Sequence, residues 1–143
     1  MRPERNDDLN PSPASQKPAV LLVEDEVLIR LALADHLREC GFTVREAASV
    51  DEAKAFFTEG MAIDLVFSDI KLLGPSDGIE LAVWIGSHFP EVPVILTSGV
   101  QSALRAAEAA CAHIGDFIDK PYEPVAVEQR IRALIARRAD VGP

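Results

Sequence analysis

Ala19-Val20-Leu21-Leu22-Val23 is an unbroken apolar run of strand length, and it stops abruptly at Glu24-Asp25-Glu26. A strand with one wet face alternates apolar and polar residues, whereas a strand buried on both faces does not. Asp64-Leu65-Val66-Phe67-Ser68-Asp69 repeats the design, with a carboxylate standing at the end of the run. Val92 to Thr97 repeats it again and closes in Thr97-Ser98-Gly99. Strands of this kind need cover on both faces. That requirement constrains the chain more than any other feature of it.

The cover is written between the runs. Val27 to Cys40 has helical spacing at Val27, Leu31, Ala34 and Leu37, with Gly41 as its stop. Phe42 to Ala47 is a shorter, more polar strand suited to a sheet edge. Ser49 and Glu52 match a capping box for a helix that ends near Glu59 and Gly60. Ile70 to Gly78 holds the Gly and Pro of a loop, and Asp77 or Gly78 starts a helix through Ile79, Leu81, Ala82, Ile85 and Phe89. Gln101 to Ala112 is Ala-rich and helical, Ile114 to Ile118 forms a fifth strand, and Lys120-Pro121 follows. Pro124 opens a last helix to about Arg138, with Val127, Ile131, Leu134 and Ile135 on one face. Five strands alternating with five helices predict βαβ units, right-handed crossovers and a three-layer α/β/α domain with a parallel sheet.

Outside that alternation the chain offers little apolar surface. Residues 1–17 are polar, with three prolines and no periodicity, and are expected to form a flexible arm. The domain proper spans 18–138, and 139–143 is expected to fray as a tail. The net charge of −9 argues against a nucleic-acid surface, which needs clustered Lys and Arg. No apolar run approaches the roughly 20 residues of a membrane span, and no apolar stretch follows Arg2 and Arg5 as a signal peptide requires. Cys40 and Cys111 lack Cys-x-x-Cys spacing, so reduced thiols in a cytoplasmic protein are expected. His36, His88 and His113 show no metal-ligand spacing, and solvated or core-edge roles are expected for them. Trp84 is assigned to packing, Glu26 to a helix start, Ser68 and Ser76 to loop polarity, and Arg130, Arg132, Arg137 and Arg138 to a solvated helix face.

In a parallel sheet all strand ends point one way, and ligands gather at the carboxyl edge. Four strands deliver chemistry there: Glu24, Asp25 and Glu26; Asp69; Thr97 and Ser98; Lys120. The second strand ends in Ala47-Ala48 and delivers none. Carboxylates ~4 Å apart repel by about 4 kcal/mol per pair at an effective dielectric near 20. A hard divalent cation removes that penalty, and all-oxygen ligation suits Mg2+. A carboxylate nucleophile, a Mg2+ site, a lysine and a hydroxyl are the parts of phosphoryl transfer to an aspartate.

These residues resemble the receiver domain of two-component response regulators. The resemblance rests on LLVEDE at 21–26, DLVFSD at 64–69, DG at 77–78, VILTSG at 94–99 and FIDKP at 117–121, in that order. It implies a flavodoxin-like doubly wound sheet of strand order 2-1-3-4-5. It implies Asp69 as phospho-acceptor and Asp25 as direct Mg2+ ligand. Glu24 would act through water, and the backbone carbonyl of Lys71 would be a further ligand. Thr97 would be the hydroxyl that moves toward the phosphoryl group, Lys120 the invariant lysine before a cis peptide to Pro121, and Phe117 the aromatic switch. The chain departs from the family pattern at Glu24, where Asp is common, and at Leu73, where Pro is frequent; the loop after Asp69 is one residue longer than the family's commonest Asp-to-Gly spacing, which predicts a local bulge. Phe117 lacks the hydroxyl of a Tyr.

The function so implied is a cytoplasmic, single-domain response regulator, because no output domain follows the last helix. It would take its phosphoryl group from a histidine kinase or a histidine phosphotransfer protein. It would signal by protein contact, by phosphorelay or as a phosphate sink, without being an enzyme in its own right. The face of the fourth helix, fifth strand and last helix would offer a docking site for a downstream protein or a second copy, with no nucleic acid or membrane involved. The alternatives are a degenerate receiver that only binds a partner, a haloacid-dehalogenase-like phosphatase and a flavodoxin-like electron carrier. The complete set of Asp25, Asp69, Thr97 and Lys120 argues against the first. Lys71, where a general-acid Asp belongs, argues against the second. The acidic loop after the first strand argues against the third.

Overall fold

The unbroken runs do form the middle of a sheet. In a computed structural model that describes residues 17–111 and 115–141, β1 (Ala19–Val23), β3 (Leu65–Asp69) and β4 (Val94–Ser98) are buried at every position. They are flanked by β2 (Thr43–Ala47) and β5 (Asp116–Asp119), whose half-exposed patterns suit sheet edges. All pairings are parallel and the order is β2-β1-β3-β4-β5, as expected. Residues 1–16, 112–114 and 142–143 lie outside the described residues, and with them most of the expected arm, His113 and the expected start of the fifth strand at Ile114.

Five helices cover the two faces. On one side α1 (Val27–Glu39) and α5 (Pro124–Val141) bury Leu33, Ala34, Leu37, Val127, Ile131 and Leu134 against Val20, Leu22, Leu65, Phe67 and Ile95. On the other, α2 (Val50–Thr58), α3 (Gly78–His88) and α4 (Gln101–Ala110) bury Ala53, Phe57, Leu81, Ala82, Ile85, Leu104 and Ala107 against Leu21, Val23, Val66, Val94 and Leu96. Successive residues of one strand thus feed opposite cores, which is why the runs cannot alternate. The caps are built as the sequence implies. Ser49 Oγ accepts from Glu52 N at 3.2 Å, and Asp77 and Glu80 form a reciprocal capping box.

Two expectations need correction. The inward stripe of α1 is Leu33, Ala34 and Leu37, while Val27 and Leu31 face solvent with Leu28. The helix carries more apolar residues than one face accommodates, and the first two turns are its most open part. The last helix runs to Val141, three residues past the expected end near Arg138. Arg130, Arg132 and Arg137 are exposed, as expected, and the face also carries ion pairs: Arg130 with Asp116, Arg132 with Glu128, and Arg138 with the side chain and carbonyl of Asp64. Trp84 is packing, as expected, edge-on to Phe57 at 5.8 Å and stacked on His88.

Candidate phosphoryl-acceptor site

Because β1, β3 and β5 end at one edge, Glu24, Asp25, Asp69 and Lys120 meet there although 96 residues separate the first from the last. Carboxylate oxygens of Glu24, Asp25 and Asp69 lie within 4.8 Å of one another. Lys120 Nζ donates to Asp69 Oδ2 at 2.7 Å and to Glu24 Oε1 at 3.0 Å. Glu24 and Asp69 are 5% and 7% exposed, so the charges face each other with little water between them. Glu26 does not join the cluster. It stands at the N-cap position of α1 without a side-chain capping bond, and its N–H donates to Glu24 Oε2.

The electrostatics follow from this packing. Burial pushes the Glu24 carboxyl above its ordinary range; the Glu26 N–H and Lys120 pull it back, and the Asp69 charge pushes it further. Burial disfavours the Lys120 ammonium, but hydrogen bonds to Asp69 and Glu24 outweigh that and hold it well above the usual lysine range. Lys120 is therefore a fixed cation at any physiological pH. Removing it leaves the acids facing one another. Lys120→Met is expected to lose on the order of 2 kcal/mol of stability without added metal. Saturating Mg2+ is expected to raise its melting temperature more than that of the native chain, since the cation then replaces the missing charge. An equal Mg2+ shift in both proteins would contradict this account.

Thr97 stands opposite Asp69 in the β3–β4 register. Its Oγ1 is fully buried and has no hydrogen-bond partner, a vacancy that costs about 1–3 kcal/mol unless an acceptor fills it. Lys71 is exposed just past β3, with its N–H 3.4 Å from Asp69 Oδ1. Phe117 is half-buried on β5 beside Leu96 and packs on the α3–α4 side of the core. The Lys120-Pro121 peptide is cis, as the resemblance implies. The expected irregularity after Asp69 takes the form of a loop in which Gly74 has φ 101° and exposed Leu73 precedes it. Ser68 is not a loop residue: it is buried in β3 and donates to the Asp69 carbonyl at 2.8 Å.

Two further residues belong to this edge that the sequence alone did not single out. Arg30 Nη1 donates to the Glu24 carbonyl at 2.8 Å while its Nε pairs with Glu46, tying α1 and β2 to the acidic loop. Nothing in the spacing of Arg30 signals this. Tyr122, one residue past Lys120-Pro121, stands edge-on to Phe67 at 5.6 Å, with its buried hydroxyl unpaired; an aromatic directly after that dipeptide was the available signal. Burial, and then the Glu24 charge, push its phenol up to about 12. The folded chain holds this proton more tightly than the unfolded chain, so the associated stability is complete below about pH 10 and disappears as the pH rises through 12. The chain has one tyrosine. Its phenolate absorbance is expected to appear near pH 12 in the folded protein and near 10 in urea; a folded-state midpoint near 10 would contradict the burial argument.

A doubly wound parallel sheet with three acids and a lysine at its carboxyl edge defines a flavodoxin-like receiver class. The comparisons agree. The family model of the response regulator receiver domain matches residues 20–132. The C4-dicarboxylate transport transcriptional regulatory protein DctD of Rhizobium meliloti is 35% identical over 126 residues, covering 88% of this chain and 26% of that protein. A response regulator receiver domain protein from Clostridium thermocellum superposes with a TM-score of 0.79 at 25% identity, covering 87% of this chain and 99% of that one. Response regulator TrrA of Thermotoga maritima, solved in complex with Mg2+–BeF, superposes with a TM-score of 0.73 at 25% identity, covering 82% and 98%. The chain belongs to the response regulator receiver domain family, a family of signalling domains. It spans about a quarter of the length of the first curated relatives it matches. Among the described residues no helix is long and apolar enough to cross a membrane.

Proposed function

We propose that this chain accepts a phosphoryl group on Asp69 from the phosphohistidine of a histidine kinase or phosphotransfer protein in the cytoplasm, and passes the change on by protein contact. The observation that carries the reading is Asp69 itself: a buried carboxylate at the end of the central strand, held by Lys120 and set against two further acids. An Asp69 oxygen bonds to phosphorus as the phosphorus–nitrogen bond to imidazole breaks, and the imidazole leaves with its electron pair and takes up a proton. Lys120 holds Asp69 in place, and its remaining N–H can meet a phosphoryl oxygen. Thr97 supplies a buried donor without a partner beside Asp69, and a phosphoryl oxygen at Asp69 would satisfy it. Phe117, on the neighbouring strand β5, can follow Thr97 inward and so alter the surface of α4 and β5.

The donor set suits Mg2+: all oxygen, more than one carboxylate, and little room for a softer metal's preferences. Asp25, Asp69 and the Lys71 carbonyl would hold it directly, with Glu24 acting through water. When bound, Mg2+ offsets carboxylate repulsion and the charge on the transferring group.

The test is intact mass after incubation with acetyl phosphate and Mg2+. We expect a gain of one phosphoryl mass, labile to hydroxylamine and absent with EDTA. No adduct, together with no binding of fluoroberyllate, would replace this reading with that of a receiver that only binds partners.

A further inference from the structure

We propose that His36, Cys40 and Glu128 form a Zn2+ site that clamps α1 to α5, well away from the acidic edge. His36 and Cys40 are four residues apart on α1 and so share one helix face. Glu128 comes from α5, across the helix interface. One donor atom from each lies within 4.8 Å of the other two. Along the chain the pair gives no metal-ligand pattern, because the third donor arrives only through the tertiary fold.

The separations fit one ion. His36 Nε2 is 3.6 Å from Cys40 Sγ and 3.4 Å from Glu128 Oε1. Tetrahedral Zn2+ with Zn–S of about 2.3 Å and Zn–N and Zn–O of about 2.1 Å places S and N roughly 3.6 Å apart and N and O roughly 3.4 Å apart. Two of the three donor–donor edges thus already match a tetrahedron, and the third, from Cys40 to Glu128, lies within 4.8 Å. The set is also chemically selective. Thiolate, imidazole and carboxylate are the standard zinc donors, whereas Mg2+ takes oxygen alone. Thiolate and carboxylate together balance the charge of Zn2+, and the thiol proton leaves to solvent on binding.

Outer contacts hold the donors in place. Arg132 Nε occupies Glu128 Oε2 at 2.8 Å, leaving Oε1 turned to His36. The same guanidinium donates from Nη2 to the Cys40 carbonyl at 2.6 Å and lies over the Phe42 ring. A carboxylate ligand whose second oxygen is fixed in this way is the usual supporting arrangement of a built metal site. His36 and Glu128 side chains are 25% and 19% exposed, which leaves a path for entry and a fourth position for water.

The experiment uses tag-free, reduced, metal-stripped protein in excess Mg2+, so that Glu24, Asp25 and Asp69 are occupied. Co2+ serves as the optical probe. We expect one equivalent to give the near-ultraviolet thiolate-to-cobalt band and the visible bands of a four-coordinate ion, displaced by Zn2+. Cys40→Ser should abolish the thiolate band, and His36→Ala and Glu128→Ala should each weaken Co2+ binding at least tenfold. Cys111→Ser, at the buried second thiol, should leave the band unchanged. Zn2+ should raise the melting temperature of the native chain and not that of Cys40→Ser. No thiolate band in the native protein, or one that survives Cys40→Ser, would overturn the site.

Discussion

Asp69→Asn is expected to take up no phosphoryl group from acetyl phosphate and to remain folded with a slightly higher melting temperature in the absence of metal. The two halves have one cause. In the native chain Asp69 and Glu24 share Lys120 and repel one another inside a pocket with little water. An amide keeps the volume and can still accept from Lys120 Nζ, so packing is conserved while one charge of the repelling set disappears. The chemistry disappears with it, since an amide oxygen is a poor nucleophile and a weak Mg2+ ligand. Acceptance should fall below detection, at least a thousandfold, and Mg2+ affinity by on the order of a hundredfold. Intact mass and a melting curve on the same sample check both halves. A mass gain that persists in Asp69→Asn would move the nucleophile to another residue, with Asp25 the first candidate at 4.8 Å or less. A large drop in stability would mean that Lys120 needs both carboxylates to remain ordered.

How much of this the sequence carries depends on where each signal originates. Burial of β1, β3 and β4 on both faces is written in the residues themselves, so strand positions, parallel pairing and the convergence of Glu24, Asp25, Asp69, Thr97 and Lys120 were all legible. Ser49, Glu52 and the helix start at Asp77 were legible for the same reason, because a cap is a local contact. Misreadings arose where two local patterns competed or where the partner is distant. On α1, Val27 and Leu31 keep helical spacing with Ala34 as well as Leu33 and Leu37 do, and only the sheet beneath decides which stripe turns inward. On α5, Arg130 is exposed as expected, but its pairing with Asp116, like that of Arg138 with Asp64, is set by distant elements of the fold. Arg30 reaching the Glu24 carbonyl, and Glu128 reaching His36 beside Cys40, are likewise products of topology that no spacing along one element can announce.

Gly78→Ala is expected to cost about 3 kcal/mol and to loosen the acceptor site, because this glycine is where α3 touches the end of β3. A Cβ at Gly78 would lie 2.2 Å from the Asp69 carbonyl oxygen, 2.9 Å from Ile70 Cα and 3.0 Å from the Asp69 carbonyl carbon. These are backbone atoms and cannot rotate away. Meanwhile the Gly78 N–H donates to the Ile70 carbonyl at 2.7 Å, and the Asp77–Glu80 capping box fixes the adjoining turn. The methyl group must therefore push the start of α3 off the strand, breaking that hydrogen bond or tilting the peptide that carries Asp69. Overpacking of this kind costs about 1–3 kcal/mol, and the lost hydrogen bond adds about 1. Gly99→Ala is the matched control at the next strand end. Its Cβ would meet nothing nearer than Lys120 Cβ at 3.8 Å, so a change within about 0.5 kcal/mol is expected. Thermal unfolding of the two variants separates the effects: the Gly78 variant should melt roughly 10 °C below the Gly99 variant and take up phosphoryl more slowly at saturating Mg2+. If both are tolerated equally, the loop from Ile70 to Asp77 yields to the methyl group, and what fixes Asp69 is its strand and Lys120 rather than the contact with α3.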